Sequence, residues 1–266
     1  MNAADRTCVV IPARYASTRF PGKVLARRTG KYLIQHVYEQ AVRARVPAEV
    51  IVATDDERVA AAVRSFGGQA VMTAPDCASG SDRVAEVLVQ RPEFAFVVNL
   101  QGDEPEVDPA DIDRLVGLLE TNAWADLSTL AVRIDRAEVA LDPHVTKVVF
   151  APDGRALYFS RGVIPGLKGR GGVFDPAAGP YYKHLGLYGY RRGALFKFTA
   201  LPPSPLEKRE GLEQLRALEN GLAIVVGITE HDSIGVDTPE DYQAFVKRWR
   251  DAARGIGLTR SPAARG

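Results

Sequence analysis

Short apolar segments rich in β-branched residues alternate with helical segments over the first part of the chain. Such strand-like runs are too short for buried helices and are bounded by turn residues. Alternation of strands and helices predicts a largely parallel sheet with right-handed crossovers. The sequence therefore predicts an α/β fold, a mostly parallel sheet with helices on both faces. The predicted strands are Cys8–Ile11, Val50–Ala53, Ala70–Met72 and Phe94–Leu100.

The pattern changes after Trp124. Residues 145–160 carry the turn sequence Pro-Asp-Gly-Arg between two apolar runs, which predicts an antiparallel hairpin. We expect one domain over 1–250, with a smaller antiparallel subregion at 126–203. The segment 251–266, rich in Arg, Ala and Gly, is expected to form a flexible tail.

Charge and cysteine content narrow the class of protein. The 266 residues carry a net charge of +1, so the chain lacks the basic excess of a nucleic-acid or membrane-surface binder. Cys8 and Cys77 form no C-x-x-C pair, which argues against structural zinc and a disulfide framework. With no signal-like or membrane-length apolar run, a reducing, cytoplasmic location is expected.

A basic loop follows the first predicted strand. Arg14, Arg19 and Lys23 lie there among small residues such as Gly22. Ligands of open α/β sheets bind at the carboxyl ends of strands, and clustered cations with accessible backbone N–H groups suit a polyphosphate. The loop matches neither the P-loop nor the dinucleotide pattern, so a solvated basic loop remains the alternative.

Three further segments allow two interpretations each. Ser79-Gly80-Ser81-Asp82-Arg83 can be an ordinary helix cap or a helix N-terminus that faces an anion. Asp103, after a strand and a Gly, suits a divalent cation, but the same Asp-Glu-Pro sequence also makes plain turns. Asp237, by residue chemistry alone, is better explained as a helix N-cap.

Taken together, these segments resemble the sugar-activating cytidylyltransferases, above all the 3-deoxy-manno-octulosonate cytidylyltransferases (CMP-Kdo synthetases). The resemblance spans Val9 to Tyr242. It implies a Rossmann-like nucleotidyltransferase (nucleotide-diphospho-sugar transferase) fold. The matching segments are R-x-x-S-T-R-x-P-G-K at 14–23, V-N-x-Q-G-D-E-P at 98–105, Y-F-S-R at 158–161, H-x-G-x-Y-x-Y at 184–190, L-E-Q-L-R at 212–216 and G-V-D-T-P-E-D at 235–241.

The resemblance also implies roles for individual residues. Asp103 and Asp237 would bind Mg²⁺, and both, with Arg14 and Lys23, would form the catalytic set. The CTP-binding set would be Ala13, Arg14, Arg19, Lys23, Ser79, Gly80, Arg83 and Gln101. The set that binds an acidic octulosonate sugar would be Arg161, His184, Tyr188, Glu213 and Gln214.

By residue chemistry alone each of these sugar-site assignments is open, because a lone His in a strand is more often structural than catalytic, and Glu213 and Gln214 on a helix would ordinarily be solvated. Two features favour a sugar site. The planar guanidinium group of Arg161 can donate two parallel hydrogen bonds to a carboxylate. Tyr188 follows His184 by four positions and is predicted to share its strand face.

The reaction implied is transfer of CMP from CTP to the anomeric hydroxyl of 3-deoxy-D-manno-octulosonate, with release of pyrophosphate, for lipopolysaccharide synthesis. A related acidic sugar, such as 8-amino-Kdo or a sialic acid, is the nearest alternative. A non-catalytic nucleotide-binding protein is the alternative from another class. The resemblance further implies a homodimer, with 126–203 as the substrate and dimerisation subregion and the apolar stretch 185–198 as contact surface.

Overall fold

A computed structural model of the protein describes residues 6–17, 19–169 and 173–258. Within those residues the chain forms nine strands and nine α-helices. The strands are β1 (Thr7–Pro12), β2 (Glu49–Thr54), β3 (Gln69–Met72), β4 (Phe96–Asn99), β5 (Leu127–Ile134), β6 (Lys147–Phe150), β7 (Ala156–Ser160), β8 (Tyr181–Arg191) and β9 (Ile224–Thr229).

The helices lie between the strands and after them. Short 3-10 turns occur at Lys23–Leu25 and Pro176–Ala178. The helices are α1 (Leu33–Val42), α2 (Glu57–Ser65), α3 (Gly80–Val89), α4 (Pro109–Thr121), α5 (Ala137–Leu141), α6 (Arg192–Thr199), α7 (Pro205–Glu210), α8 (Gln214–Glu219) and α9 (Pro239–Leu258).

One mixed sheet organises the molecule, with the order β3-β2-β1-β4-β8-β5-β9. The four amino-terminal strands are parallel to one another, and β5 is parallel to β9. The long strand β8 lies antiparallel between β4 and β5. The predicted α/β class with a mostly parallel sheet is therefore confirmed.

The strand predictions succeed because the runs are apolar on both faces. Cys8, Val9, Val10 and Ile11 are fully buried between the two hydrophobic clusters that flank the sheet. Near-continuous apolar runs are typical of strands covered by helices on both faces. The carboxyl ends of β1 and β4 consequently meet at one sheet edge, where their following loops form the walls of a cleft.

Two predicted boundaries differ from the structure. The helical pattern of residues 206–220 predicts one continuous helix, but the structure has α7 and α8 there, because Gly211 has a φ of 66°, a left-handed conformation that ends α7. The tail predicted over 251–266 is wrong as far as Leu258, since α9 continues to that residue. Residues 259–266 lie outside the described residues.

The subregion at 126–203 is not separate from the main sheet. Its strands β5 and β8 belong to that sheet, while the predicted hairpin, β6 and β7, branches from it. The stretch 185–198, expected to supply a dimer surface, contributes Leu185, Leu187 and Phe198 to the core of the protomer, each at most 3% exposed. Among the described residues, no helix is long and apolar enough to span a membrane.

Candidate active site

A cavity of about 700 Å³ opens at the carboxyl ends of β1 and β4. The loops after both strands line it, together with Asp237 from the turn before α9. Of the residues predicted to bind nucleotide or metal, it brings together Ala13, Arg14, Arg19, Lys23, Gln101, Asp103 and Asp237.

Lys23 is the centre of this cavity's charge arrangement. Its Nζ donates to Asp103 Oδ2 at 2.6 Å and to Asp237 Oδ1 at 3.0 Å, and also to the carbonyl of Val236 at 3.0 Å. Burial alone would lower the pKa of Lys23, but the two carboxylates outweigh it and hold the pKa above its ordinary value. Carboxylates far apart in sequence thus converge on one ammonium group.

The segment that carries Asp237 is docked onto the loop after β4. The Val236 N–H donates to the Asp103 carbonyl at 2.8 Å, and Ser233 Oγ donates to Glu104 Oε2. Burial raises the pKa of Glu104 to about 6. A side chain at Gly235 would approach Glu104 Oε1 to 3.3 Å, so this position needs a small residue. The backbone hydrogen bond between Val236 and Asp103 therefore helps to hold the side chains of Asp103 and Asp237 close together, in addition to their contacts with Lys23.

The two arginines of the basic loop are exposed at the cavity rim. Arg19 Nη2 lies 3.1 Å from Asp237 Oδ2. Within the described part of the chain, Arg14 has no hydrogen bond or ion pair, and its side chain lines this cavity and a second one. Both guanidinium groups are thus accessible to an anionic ligand.

The donor chemistry of Asp103 and Asp237 fits a magnesium ion. Their side chains are 28% and 47% exposed, and both supply hard oxygen donors. In the described residues there is no group of three or more His, Cys, Asp and Glu side chains suited to a metal. Mg²⁺ commonly takes one or two carboxylates and completes its shell with water and phosphate oxygens, so a pair of carboxylates suffices.

The second cavity, of about 940 Å³, lies between the start of α3 and the α7–α8 turn. Ser79, Gly80 and Glu213 line it. Ser79 and Asp82 form a complete capping box, so the capping interpretation of this segment is confirmed. A side chain at Gly80 would approach Gln101 Nε2 to 3.4 Å, which shows that the two cavities adjoin.

Arg83 lies apart from both cavities. It is 4% exposed, donates to Thr73 Oγ1, and has its Nη2 3.3 Å from Asp55 Oδ2. Asp55 follows β2 directly and could by its residue type cap α2, but the cap is Asp56, which accepts from the Arg58 N–H. The contacts of Arg83 hold the strand-end loops together, and nucleotide binding by it stays a prediction.

Of the predicted sugar-binding residues, His184 and Gln214 are buried, whereas Arg161, Tyr188 and Glu213 are partly exposed. His184 is 8% and Gln214 is 7% exposed. The hydroxyl of Tyr188 and Nε2 of Gln214 are buried without a hydrogen-bond partner among the described residues. Burial raises the pKa of Glu213, whose Oε2 accepts from Ser81 Oγ at 3.1 Å. Buried polar atoms without partners are uncommon and point to a ligand or an ordered water.

Arg161, the predicted partner of a sugar carboxylate, is oriented by backbone carbonyls. Its Nε donates to the Glu210 carbonyl at 2.8 Å, and its Nη2 to the Gly211 carbonyl at 3.5 Å. Its own N–H donates to Glu210 Oε2 at 2.9 Å. Nη1 donates to the Pro143 carbonyl at 3.3 Å, which leaves two of five guanidinium N–H groups for a ligand.

Glu210 and Thr129 were missed by sequence reasoning. Glu210 accepts from Ser160 Oγ at 2.8 Å and from Arg161, and so joins the end of β7 to the turn at Gly211. Thr129 contacts His184 from the neighbouring strand. Both act through partners distant in sequence, and their residue types are ordinary for a helix end and a strand, so no local signal marks them.

Comparisons with known proteins show which family the chain belongs to. A family model described as cytidylyltransferase matches residues 8–224. The 3-deoxy-manno-octulosonate cytidylyltransferase of Geobacter sulfurreducens (strain ATCC 51573 / DSM 12127 / PCA) is 49% identical over 244 residues, 90% of this chain and 97% of the relative. The enzyme of the same name from Myxococcus xanthus (strain DK1622) is 50% identical over 238 residues, covering 90% and 94%.

Two solved structures extend the comparison. A CMP:2-keto-3-deoxy-manno-octonic acid synthetase complexed with CTP superposes with a TM-score of 0.86 at 40% identity, over 93% of this chain and 99% of that one. A cytidylyltransferase from Leptospira borgpetersenii serovar Hardjo-bovis (strain JB197) gives 0.60 at 14% identity, over 98% and 99%. The second match shows a shared fold alone.

Proposed function

We propose that this chain, which belongs to the cytidylyltransferase family, transfers the CMP group of CTP to 3-deoxy-manno-octulosonate. The observation that carries the proposal is the near-full-length identity to relatives named for this reaction, 49% over 90% of the chain. The similarity to a synthetase complexed with CTP supports the nucleotide. The cavity lined by cations and carboxylates supports the binding of a polyphosphate, and the buried, unpartnered atoms of Tyr188 and Gln214 support the binding of hydroxyl groups.

In the proposed reaction, the anomeric hydroxyl oxygen of the sugar attacks the α-phosphorus of CTP. The new bond joins that oxygen to phosphorus, the bond to the β-phosphate oxygen breaks, and pyrophosphate leaves. The hydroxyl proton is released to solvent, and we assign no protein base. Positioning and charge stabilisation carry most of the catalysis in transfers of this kind.

The basic loop performs the charge stabilisation at the nucleotide end. Arg14 and Arg19 are exposed cations at the rim, and Lys23 lies deeper between the carboxylates. They neutralise the triphosphate and then the leaving pyrophosphate. Gly102 lets the loop after β4 pack closely against the end of β1, because a Cβ atom at this position would lie 3.0 Å from the Pro12 carbonyl oxygen.

Magnesium dependence is part of the proposal. Asp103 and Asp237 would hold the ion, and a bound Mg²⁺ supplies charge neutralisation for phosphate oxygens and the attacking hydroxyl. The donor set, two accessible carboxylates within reach of one cation position, supports this assignment. Asp237 is kept in place by the Val236–Asp103 backbone hydrogen bond.

At the sugar end, Arg161 orients the carboxylate of the substrate with its two remaining guanidinium N–H groups. Tyr188 and Gln214 offer the unpartnered atoms that would bind sugar hydroxyls, and Glu213 and His184 complete the set. A homodimer, a cytoplasmic location and a role in lipopolysaccharide synthesis belong to the proposal through the family resemblance.

The deciding experiment measures pyrophosphate release from CTP with 3-deoxy-manno-octulosonate, 8-amino-Kdo and a sialic acid, each with and without Mg²⁺. We expect turnover with 3-deoxy-manno-octulosonate and not with the other two sugars, and only when Mg²⁺ is present. Preference for another acidic sugar would move the assignment to that sugar. Nucleotide binding without turnover of any sugar would overturn the proposed activity, and turnover without divalent cations would overturn the magnesium assignment.

A further inference from the structure

The strand that carries His184 and Tyr188 is interrupted by a bulge. In the pairing of β5 with β8, Thr129 lies opposite Tyr188, but the next residue, Leu130, lies opposite Leu185. The two residues between 185 and 188 therefore have no counterpart in β5. Simple four-residue spacing on one strand face, as the sequence suggested, does not describe this arrangement. The two rings nevertheless lie 5.4 Å apart, on either side of the bulge.

One hydroxyl group fills the bulge. Thr129 is fully buried, and its Oγ1 lies 2.8 Å from the Leu187 carbonyl oxygen and 3.2 Å from that of Leu185. The same oxygen lies 2.9 Å from Nε2 of His184. Three polar atoms thus surround a single threonine hydroxyl in the protein interior.

The number of hydrogens decides how these contacts are made. A hydroxyl donates one hydrogen and accepts through its lone pairs, whereas a carbonyl oxygen can only accept. Without a hydrogen between them, Thr129 Oγ1 and a carbonyl oxygen at 2.8 Å would repel each other. The hydroxyl hydrogen of Thr129 therefore points to Leu187, and Thr129 must accept the remaining hydrogen bond from Nε2–H of His184.

The surroundings of His184 keep its ring neutral and fixed. Burial lowers its pKa to about 3. Phe159 packs edge-on at 4.9 Å between ring centroids, and Tyr188 lies against it at 5.4 Å. Within the described residues, Nδ1 of His184 has no hydrogen-bond partner. A neutral ring with Nε2 protonated presents Nδ1 as an acceptor only.

We propose that Thr129 is a positioning residue that holds His184 as the Nε2–H tautomer, so that Nδ1 accepts a hydrogen bond from a hydroxyl of the sugar substrate. The identity of the sugar rests on the proposed function, whereas the tautomer does not. His184 then discriminates in favour of a hydroxyl, which can donate, over an ether or a deoxy position. It takes no proton during the reaction.

The direct test is nitrogen-15 NMR of the full, ligand-free chain with labelled histidine. The chain has four His residues, and the spectrum of His184→Gln identifies the signals of His184. We expect a protonated Nε2 and an unprotonated Nδ1, unchanged between pH 8 and about pH 5, as a buried neutral ring requires. A protonated Nδ1, or averaged signals from two tautomers, would overturn the proposal without any variant of Thr129.

Variants of Thr129 test its role in the reaction. Thr129→Val removes the hydroxyl at similar volume, and Thr129→Ser keeps it. We expect Thr129→Val to average the His184 nitrogen signals and to raise KM for the sugar about tenfold, with KM for CTP unchanged. Thr129→Ser should show the native His184 nitrogen signals and the native KM for the sugar. Thr121→Val, which removes an exposed hydroxyl on α4, should change neither quantity.

The outcomes separate this inference from the proposed function. A Thr129→Val protein with the native tautomer and native sugar KM would overturn the positioning role. If Thr129→Val does not fold, the comparison of Thr129→Ser with the native chain and the ligand-free spectrum still decides the tautomer. A native Nε2–H signal in a protein that transfers no CMP to the sugar would overturn the proposed function and leave the tautomer assignment in place.

Discussion

Two groups of residues hold their polar side chains by different means: the proposed phosphate end (Arg14, Arg19, Lys23, Asp103 and Asp237) and the proposed sugar end (Arg161, His184, Tyr188, Glu213 and Gln214). At the phosphate end, the buried Lys23 joins two carboxylates and Arg19 adds a third ion pair, and the side chains of Arg19, Asp103 and Asp237 reach solvent. At the sugar end, His184 and Gln214 are buried, and Tyr188 and Gln214 each keep an atom without a partner in the described part of the structure. One end is satisfied before ligand binds, and the other is not.

The difference has an energetic meaning. Exposed ion pairs contribute about 0–1 kcal/mol to stability and weaken with salt. A buried polar atom without a partner costs about 1–3 kcal/mol. If no ordered water meets these atoms in the free protein, the sugar end carries this cost until a ligand that pairs them is bound. Charge alone does not distinguish one polyphosphate from another, so under the proposed function we expect discrimination between sugars to come from the sugar end.

The largest expected effect is at the phosphate end. Asp103→Asn or Asp237→Asn should lower kcat by at least about a hundredfold, because each removes charge from a proposed magnesium ligand. Pyrophosphate release at saturating Mg²⁺ measures it, and Glu57→Gln, at an exposed ion pair with Arg64, is the control. More than about a tenth of native activity in either variant would show that the residue is not a metal ligand.

Arg161→Ala tests the one cation of the sugar end. It should cost about 2 kcal/mol of transition-state binding, near thirtyfold in kcat/KM for the sugar, by leaving the substrate carboxylate unpaired. CTP affinity by calorimetry should not change. The control is Arg209→Ala, an exposed arginine on α7. Loss of CTP affinity in Arg161→Ala would mean that the two ends are not independent.

Tyr188→Phe tests whether the unpartnered hydroxyl is kept for ligand. Its removal should raise the free energy of unfolding by about 1 kcal/mol, because a buried donor without a partner disappears. KM for the sugar should rise about tenfold. Urea unfolding and sugar kinetics on the same preparation measure both. A less stable variant would show that the hydroxyl has a partner in the free protein, such as an ordered water.

Arg19→Ala should have the smallest effect on the fold. Its ion pair with Asp237 is exposed, so the melting temperature should stay within about a degree of native, while KM for CTP rises about fivefold at low salt. The rise in KM should shrink as ionic strength increases. A large fall in melting temperature with native kinetics would make Arg19 a structural residue and remove it from the phosphate end.

Much of the phosphate end follows from local sequence. β1, β4 and the capping box at Ser79 are encoded in consecutive residues, since apolar runs and cap spacings depend on near neighbours. The position of Lys23 between Asp103 and Asp237 does not follow in this way. It depends on where the segment before α9 docks, which is a long-range contact.

The sugar end is harder to predict because its geometry comes from exceptions to regular structure. The bulge opposite Thr129 breaks the two-residue period of β8. The left-handed Gly211 divides a continuous helical pattern and places Glu213 and Gln214 at the start of a new helix. Periodicity predicts regular elements, and neither interruption changes the hydrophobic pattern enough to be detected. The roles of the predicted sugar residues accordingly rest on the family resemblance.

The insertion of β8 between β4 and β5 also bears on how the chain is made. Synthesis delivers β1 to β4 first, and the outer edge of β4 then has no partner until Tyr181–Arg191 has emerged. An open strand edge pairs readily with other chains. The nascent protein thus passes through a stage in which the outer edge of β4 is open, and pairing with β8 closes that edge. The open edge of β5 is closed later still, by β9, so this topology favours sequences that pair their late strands promptly.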